Sequence, residues 1–407
     1  MSETAGRRAI VLVIDACGVG ALPDAASYGD EGANTLAHVA EAVGGLRLPT
    51  LAGLGLGAIV PLLGVPPRDG PAIHGRLHPL GPGKDSITGH WELMGIVQTD
   101  PLPTYPEGFP AEVLARLVEA MGCEVLCNRP CNGVAAIEDF GAAHLRSGAL
   151  ILYTSQDSVL QLAAHVDRVP PEELYRACAA ARTTMGGRHA VGRVIARPFD
   201  GVEGAFTRTH GRRDFTVRPP ARSYLEELED SGVEVHGVGK IDDLFAGVGV
   251  TRSHPAATNA EALQSAGTLL EELERGLVFV NLIETDQVYG HRRDAEGFHR
   301  ALQAIDAELA RWLERMRAGD LLVVTADHGV DPAPPGTDHT REYAPLLATS
   351  AEMLVRASAT DESAPRRDQG RGSGARHDGP LADVGATVLR WLTGRDAERL
   401  PGQAFLR

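Results

Sequence analysis

The sequence has few cysteines and no long apolar segment, and each shortage excludes a class of protein. Its five cysteines form no CxxC pair and are odd in number, so neither a disulfide framework nor a common zinc knuckle is expected. No apolar run approaches the length of a membrane span. The first residues, MSETAGRR, lack the apolar core of a signal peptide. We therefore expect a cytoplasmic protein that does not bind a membrane.

Positive charge is scarce as well. The chain has 39 lysines and arginines against 54 acidic residues, a net charge of −15 at pH 7. Nucleic acids and anionic membranes favour a basic face, so neither is expected as a partner. An anionic substrate would have to be held by a local basic patch or by metal ions. The length of 407 residues predicts two or three domains with ample core.

The most informative segment is 321–343, LLVVTADHGVDPAPPGTDHTREY. It begins as an apolar, β-branched run and then places Asp327, His328 and His339 in a loop rich in proline and glycine. Such a run is typical of a buried parallel strand, and ligands of open α/β sheets bind beyond the carboxyl ends of the strands. A polar loop with chance acids and histidines is the alternative for any one such segment.

Two further apolar runs end in the same way. AIVLVIDACGVG leads into Asp15, and LVFVNLIETDQVYGHRRD leads into Asp286 and His291. Strands that end together at one edge would gather enough ligands for two divalent metals. Carboxylate and imidazole ligands without thiolate suit Mn²⁺, Zn²⁺ or Fe²⁺, and Mg²⁺ less well. A pair of metals about 3.5–4 Å apart can stabilise both the attacking and the leaving oxygen of a phosphoryl transfer.

A nucleophile for that transfer is present in GPGKDSITGHWELMG. Glycine and proline indicate a loop, and GHWELM indicates the start of a helix, so Ser86 is predicted just before a helix whose N-terminus favours phosphate. Ser86 is therefore a candidate covalent phosphate carrier. Thr88 is the rival candidate, and the alternative is that both residues only cap the helix.

Eight blocks of sequence resemble the phosphopentomutase family of the alkaline phosphatase superfamily, in family order, from about residue 11 to about residue 387. GKDxxTGHWE and GRVIARPF point to this family, whereas the last three blocks are shared more loosely with cofactor-independent phosphoglycerate mutases and alkaline phosphatases. The resemblance implies an α/β fold: a core with a mainly parallel sheet flanked by helices, plus an inserted smaller α+β cap domain. The blocks are VIDACGVG, GKDSITGHWELMG, YTSQDSVLQLAAH, GRVIARPF, FTRT, GHRRD, TADHG and GTDHTREYAPLL.

The resemblance also implies roles for individual residues. One metal would bind Asp15, Asp327, His328 and the phosphorylated hydroxyl, and the other would bind Asp286, His291 and His339. The phosphorylated residue follows Lys-Asp, which makes it Ser86 here, where the family usually has threonine. The implied contacts to the sugar phosphate are Ser155, Asp157, Arg193, Arg208 and Lys240.

The activity implied by the resemblance is the interconversion of ribose 1-phosphate and ribose 5-phosphate, and of the deoxyribose pair. It would proceed through a phosphoenzyme and a bisphosphate intermediate. The expected cofactors are two divalent metal ions, most simply Mn²⁺, with a sugar bisphosphate as activator, and the expected partners are small pentose phosphates. A hydrolase on the same fold is the first alternative. A catalytically inactive binding protein is the second, although no metal or nucleophile position is lost.

Two proline-rich segments, 99–110 and 216–223, have the composition of hinges. They predict a discontinuous di-metal catalytic core at 1–100 and 220–407 and an inserted substrate-binding cap at 101–219. Within the cap the sequence predicts helices near 111–121 and 171–182 and strands at 149–154 and 192–196. The arginine- and glycine-rich segment 364–379 predicts a mobile surface loop, and 380–392 an amphipathic helix that packs on the core.

Overall fold

The computed structural model describes residues 6–67, 70–155, 157–333, 338–359 and 374–406. The chain divides into two compact units: unit 1 comprises Met1–Asp100 and Pro219–Arg407, and unit 2 comprises Pro101–Arg218. Both changes from one unit to the other fall in the two proline-rich segments. The functional roles of the two units stay a prediction.

Strands and helices alternate along most of the described chain. The strands are β1 (Arg8–Ile14), β2 (Ile73–His78), β3 (Val125–Pro130), β4 (Leu150–Thr154), β5 (Val159–His165), β6 (Arg193–Asp200), β7 (Thr207–Arg208), β8 (Arg213–Thr216), β9 (Val235–Val238), β10 (Arg252–His254), β11 (Gly276–Leu282), β12 (Asp320–Thr325), β13 (Ala344–Ser350) and β14 (Gly379–Pro380). The helices are α1 (Thr35–Ala42), α2 (Pro49–Leu54), α3 (Leu56–Ile59), α4 (Ser86–Leu93), α5 (Ala111–Met121), α6 (Gly133–Ser147), α7 (Pro171–Thr184), α8 (Tyr224–Asp230), α9 (Ile241–Leu244), α10 (Asn259–Glu272), α11 (Ala295–Arg315), α12 (Ala351–Ala359) and α13 (Asp383–Thr393).

Unit 1 is built on one sheet in the order β10-β9-β11-β1-β12-β13-β2-β14. Every neighbouring pair from β10 to β12 is parallel, whereas β13 is antiparallel to both of its neighbours. All residues of β1, β11 and β12 are buried, as expected for parallel strands covered by helices on both faces. The predicted α/β fold with a mainly parallel sheet flanked by helices is confirmed.

Unit 2 has its own mixed sheet, in the order β3-β4-β5-β6-β7 with β8 also paired to β6. Apolar residues of α5 and α7 pack on one face of this sheet, and those of α6 pack on the other. The helix predicted near 111–121 is α5, and the strand predicted at 192–196 continues as β6 to Asp200. The extension arises because Phe199 is buried against Phe206 beyond the predicted end.

The carboxyl-terminal part of unit 1 differs from the sequence prediction at one boundary. The helix expected from residue 380 begins at Asp383, because Gly379 and Pro380 first form a short strand beside β2. Residues 364–373 of the predicted mobile loop lie outside the described residues. Within the described parts of the chain, no helix is both long and apolar enough to cross a membrane.

Candidate active site

The central strands β11, β1 and β12 bring acidic residues to one edge of the unit 1 sheet. Their register aligns Val13 with Asn281 on one side and with Thr325 on the other, so the three strands end level with one another. Asp15 follows β1 directly. Asp327 comes two residues after β12 ends, and Asp286 lies four residues after β11.

The backbone turns sharply where Asp15 leaves the sheet. The next residue, Ala16, has a φ of 61°, a left-handed conformation that is uncommon for a residue other than glycine. The Ala16 N–H donates to Asp327 Oδ1 at 3.1 Å, and the His328 N–H donates to the same oxygen at 3.1 Å. Asp327 therefore fixes the start of two loops through one carboxylate oxygen.

The first ligand cluster consists of Asp286, His291 and His339. Asp286 lies in a π-helical turn, Thr285–Tyr289, and its Oδ1 is 3.3 Å from His291 Nε2 and 3.4 Å from His339 Nε2. This oxygen is buried and has no hydrogen-bond partner among the described residues. One ligand atom from each of the three residues lies within 4.8 Å of the others. A buried carboxylate oxygen that faces two imidazole nitrogens fits a divalent cation.

The second cluster lies around His328. Its Nε2 is 3.4 Å from Asp15 Oδ1 and 3.5 Å from Asp327 Oδ2. Ligand atoms of Asp15, Asp286 and His328 also lie within 4.8 Å of one another. Asp286 thus belongs to both groups, so the two clusters adjoin. The division of ligands between two metals, with Asp327 on the first, stays a prediction.

The charges of this cluster depend on one another. Burial alone would raise the pKa of Asp327, but the positive charges of His328 and His90 outweigh it and lower the pKa to about 2. Burial alone would lower the pKa of His328, but Asp327 and Asp15 raise it well above its usual value. Carboxylates crowded in a buried site need positive charge nearby, and a divalent cation supplies it as a protonated imidazole does. These residues support divalent metal binding.

Ser86 is the first residue of α4, and its hydroxyl faces the second cluster. Ser86 Oγ lies 3.1 Å from His328 Nε2 and 3.3 Å from Asp15 Oδ1. The N-cap of α4 is Asp85, whose side chain accepts the N–H groups of Ile87 and Thr88. The helix begins at Ser86, before the GHWELM start that the sequence predicted, because Asp85 provides this cap.

Thr88, the rival candidate, has a different environment. Its Oγ1 donates to Asp85 Oδ2 at 2.8 Å and to the Asp85 carbonyl at 3.2 Å. Its side chain is buried, so this hydroxyl completes the cap of α4. Of the two candidates, only Ser86 has a hydroxyl with a contact to the predicted metal ligands among the described residues.

Two buried polar residues beside this cluster were missed in the sequence analysis. His90 Nδ1 lies 2.8 Å from the Ser86 carbonyl oxygen and 3.1 Å from Asp327 Oδ2. Asn281 donates from Nδ2 to Asp15 Oδ2 at 2.9 Å. The available signals were a histidine inside GHWE and a single polar residue inside the apolar run LVFVNL. Such neighbours orient ligands and tune their basicity.

The predicted sugar-phosphate contacts lie mainly in unit 2. Arg193 begins β6 opposite Val159 of β5, close to the turn that carries Asp157, whose N–H donates to Ser155 Oγ at 3.3 Å. Arg193 Nη1 lies 3.8 Å from Asp214 Oδ2.

Arg208 is exposed on β7, and Tyr153 and Arg197 lie near it in unit 2. Burial raises the pKa of the Tyr153 phenol, while Arg197 and Arg208 oppose that rise. Burial, with repulsion from Arg212 next, lowers the pKa of Arg197 to about 10. Arg197 and Tyr153 stand inside the family blocks GRVIARPF and YTSQDSVLQLAAH.

Lys240 is the predicted substrate contact in unit 1. It lies between β9 and α9, at the same carboxyl edge of the sheet as Asp15, because β9 is parallel to β11. A lysine at that edge suits an anionic substrate.

The fold and this site define a metalloenzyme, and comparison with known proteins agrees. Residues 7–394 match the family model described as the Metalloenzyme superfamily. Similar proteins include phosphopentomutases from Carboxydothermus hydrogenoformans (49% identity, 84% of this chain and 88% of that protein), Caldanaerobacter subterraneus subsp. tengcongensis (45%, 94% and 93%) and an Anaeromyxobacter species (47%, 96% and 97%). This chain therefore belongs to the phosphopentomutase family.

Proposed function

We propose that this protein interconverts ribose 1-phosphate and ribose 5-phosphate, and the deoxyribose pair, with Ser86 as the phosphate carrier. The observation that carries the proposal is the position of Ser86 Oγ, at the N-terminus of α4 and in contact with His328 and Asp15. A helix N-terminus favours a phosphate group. The family membership supports the choice of a mutase.

Two divalent metal ions, which we propose to be Mn²⁺, fit the clustered ligands. Asp15, Asp327 and His328 would hold one ion, and Asp286, His291 and His339 the other. When bound, the ions would neutralise phosphate charge and favour the ionised form of the Ser86 hydroxyl. The mixture of carboxylate and imidazole without thiolate supports this choice.

In the proposed cycle the phosphoenzyme is the donor. The bond between phosphorus and Ser86 Oγ breaks and a new bond forms between phosphorus and the oxygen of the free sugar hydroxyl. The proton of that hydroxyl ends on Ser86 Oγ, which becomes a hydroxyl again. The product is a sugar bisphosphate, which reorients in the site so that its other phosphate faces Ser86. That phosphate is then transferred to Ser86. A trace of sugar bisphosphate would activate the enzyme because it phosphorylates Ser86 directly.

Substrate binding is assigned to the residues that the family resemblance implies. Arginine suits the phosphate that does not react, because its planar guanidinium donates two parallel hydrogen bonds. Four of the five residues lie in unit 2, whereas all of the proposed metal ligands and Lys240 lie in unit 1. This distribution supports a division of labour between the two units. The proposed set is Ser155, Asp157, Arg193, Arg208 and Lys240.

We also propose that the protein acts in the cytoplasm. All five cysteines are free thiols, as is usual for proteins of a reducing compartment. The substrates are small anionic sugars, and neither a nucleic acid nor a membrane is needed for the reaction.

The test is to incubate the purified protein with Mn²⁺, ribose 1-phosphate and a trace of a sugar bisphosphate. The isomer and the free phosphate are then followed in the same reaction. We expect ribose 5-phosphate to appear with little free phosphate. Stoichiometric release of phosphate would identify a hydrolase instead, and no change in either species would contradict both activities.

A further inference from the structure

We propose that Glu342 is a positioning residue that fixes the relative positions of the loops that carry the metal ligands. This inference rests on the metal site of the proposed function. Glu342 lies in GTDHTREY, three residues after His339. Its side chain is buried, with a residue exposure of 3%. None of the roles given above requires this carboxylate.

The partners of Glu342 are four uncharged donors from separate parts of unit 1. Its Oε2 accepts the N–H groups of Gly20 at 3.1 Å and of Thr35 at 2.9 Å. Its Oε1 accepts the hydroxyls of Thr35 and Thr340, both at 2.6 Å. The carboxylate therefore joins the loop after β1, the start of α1 and the segment before β13.

The two threonines extend this network to the loop that follows His328. The Val330 N–H donates to Thr35 Oγ1 at 3.0 Å, and the Asp331 N–H donates to Thr340 Oγ1 at 3.2 Å. Each hydroxyl oxygen accepts a hydrogen bond from a backbone N–H group, and each hydroxyl donates its own proton to Glu342 Oε1. The loop that carries Asp327 and His328 is thus linked to Glu342 through the hydroxyl groups of Thr35 and Thr340.

Two glycines make room for this carboxylate. A Cβ on Gly18 would collide with Glu342 Oε2, and a Cβ on Gly329 would collide with Glu342 Oε1. Gly18 follows Asp15 by three positions, and Gly329 follows His328 directly. Both ligand loops therefore approach Glu342 more closely than a residue with a side chain would allow.

Burying a carboxylate is unfavourable unless hydrogen bonds or a cation compensate for the lost solvation, and the four donors supply the hydrogen bonds here. Burial raises the pKa of Glu342, and its hydrogen bonds to Thr340, Thr35 and Gly20 oppose the rise. A carboxylate offers acceptors on both oxygens, whereas a glutamine amide offers one acceptor and one donor group. In either orientation of a glutamine, two of the four donors would lose their acceptor.

The test compares metal affinity in Glu342→Gln and in a matched control, Asp306→Asn. Asp306 is also buried in unit 1, and it accepts two backbone N–H groups, of Thr50 at 3.1 Å and Leu51 at 2.8 Å. It has no contact with the metal ligands among the described residues. Metal-free protein is titrated with Mn²⁺, the unbound ion is followed by electron paramagnetic resonance, and the melting temperature of each metal-free protein is recorded.

We expect Glu342→Gln to raise the dissociation constant for Mn²⁺ by about tenfold or more, the usual scale for residues that support metal ligands. Asp306→Asn should lower the melting temperature and leave the affinity as in wild type. Thr35→Val removes one of the two threonine hydroxyls that link Glu342 to the His328 loop and keeps the shape of the side chain. It should weaken Mn²⁺ binding less than Glu342→Gln does. If Glu342→Gln does not fold, the affinity of Thr35→Val decides the question.

Wild-type affinity in both Glu342→Gln and Thr35→Val would overturn the proposal, as would an equal loss in Asp306→Asn. The titration does not depend on mutase activity. If wild-type protein bound no Mn²⁺, the proposed metal site itself would be wrong. If wild type bound the metal normally and the variants matched it, only the role of Glu342 would be wrong.

Discussion

Ser86 Oγ and His328 Nε2 lie 3.1 Å apart, although the two residues belong to distant parts of the sequence. One begins a helix and the other follows the end of β12. Their proximity places the proposed nucleophile against a proposed metal ligand, an arrangement in which a bound metal would activate the hydroxyl. The first prediction follows from this contact.

Ser86→Ala should abolish turnover and covalent phosphate, because it removes the hydroxyl that contacts His328 and Asp15. Thr88→Val should keep a phosphoenzyme that intact mass spectrometry detects, since Thr88 serves the cap of α4. Ser86→Thr should stay active because it restores the hydroxyl. Phosphate on Thr88 in the wild-type protein would contradict the assignment.

His339→Ala and Asp327→Ala should each lower the metal content of the Mn²⁺-loaded protein by about one equivalent per chain, as the two-metal interpretation requires. Each variant leaves its coordination shell incomplete. The control is His236→Ala, which removes a buried histidine that stacks on His254 outside both ligand clusters. Its metal content should equal that of wild type. Metal analysis that finds one ion in the wild type would refute the division of ligands.

Arg193→Ala and Arg208→Ala should each raise the Michaelis constant for the pentose phosphate and leave the metals bound. They should also increase the release of bisphosphate or free phosphate per turnover, because the intermediate would be held less firmly. Arg176→Ala is the matched control, since Arg176 is an exposed arginine of α7 in the same unit. If all three variants had wild-type kinetics without leakage, unit 2 would not bind substrate through these arginines.

Asp320→Ala should lower the free energy of unfolding by about 3–5 kcal/mol, the usual cost of breaking a buried ion pair on one side. Asp320 Oδ1 accepts from Arg8 Nε at 2.7 Å, and both side chains are almost fully buried. Glu271→Ala breaks an exposed pair with Arg315 in the same unit and should cost at most about 1 kcal/mol. Urea unfolding of both variants measures the difference, and equal costs would contradict the prediction.

Several parts of the fold could be predicted because they depend on local patterns. A strand such as β1 is an unbroken apolar run, and its burial follows from that composition. The sequence was less informative at element boundaries. The helix expected from residue 380 starts at Asp383, since the pairing of Gly379 with Leu77 involves a strand far away in the chain.

The sequence by itself determined which chemical groups follow the buried strands, because an acid or a histidine after an apolar run can be read directly from the order of residues. It therefore also determined the types of metal ligand to expect. It could not show that Asn281 contacts Asp15, that His90 contacts Asp327, or that Glu342 joins three separate segments of the chain. Those contacts form between residues far apart in the chain. Only tertiary packing brings such residues together, and it decides which buried polar groups meet a partner.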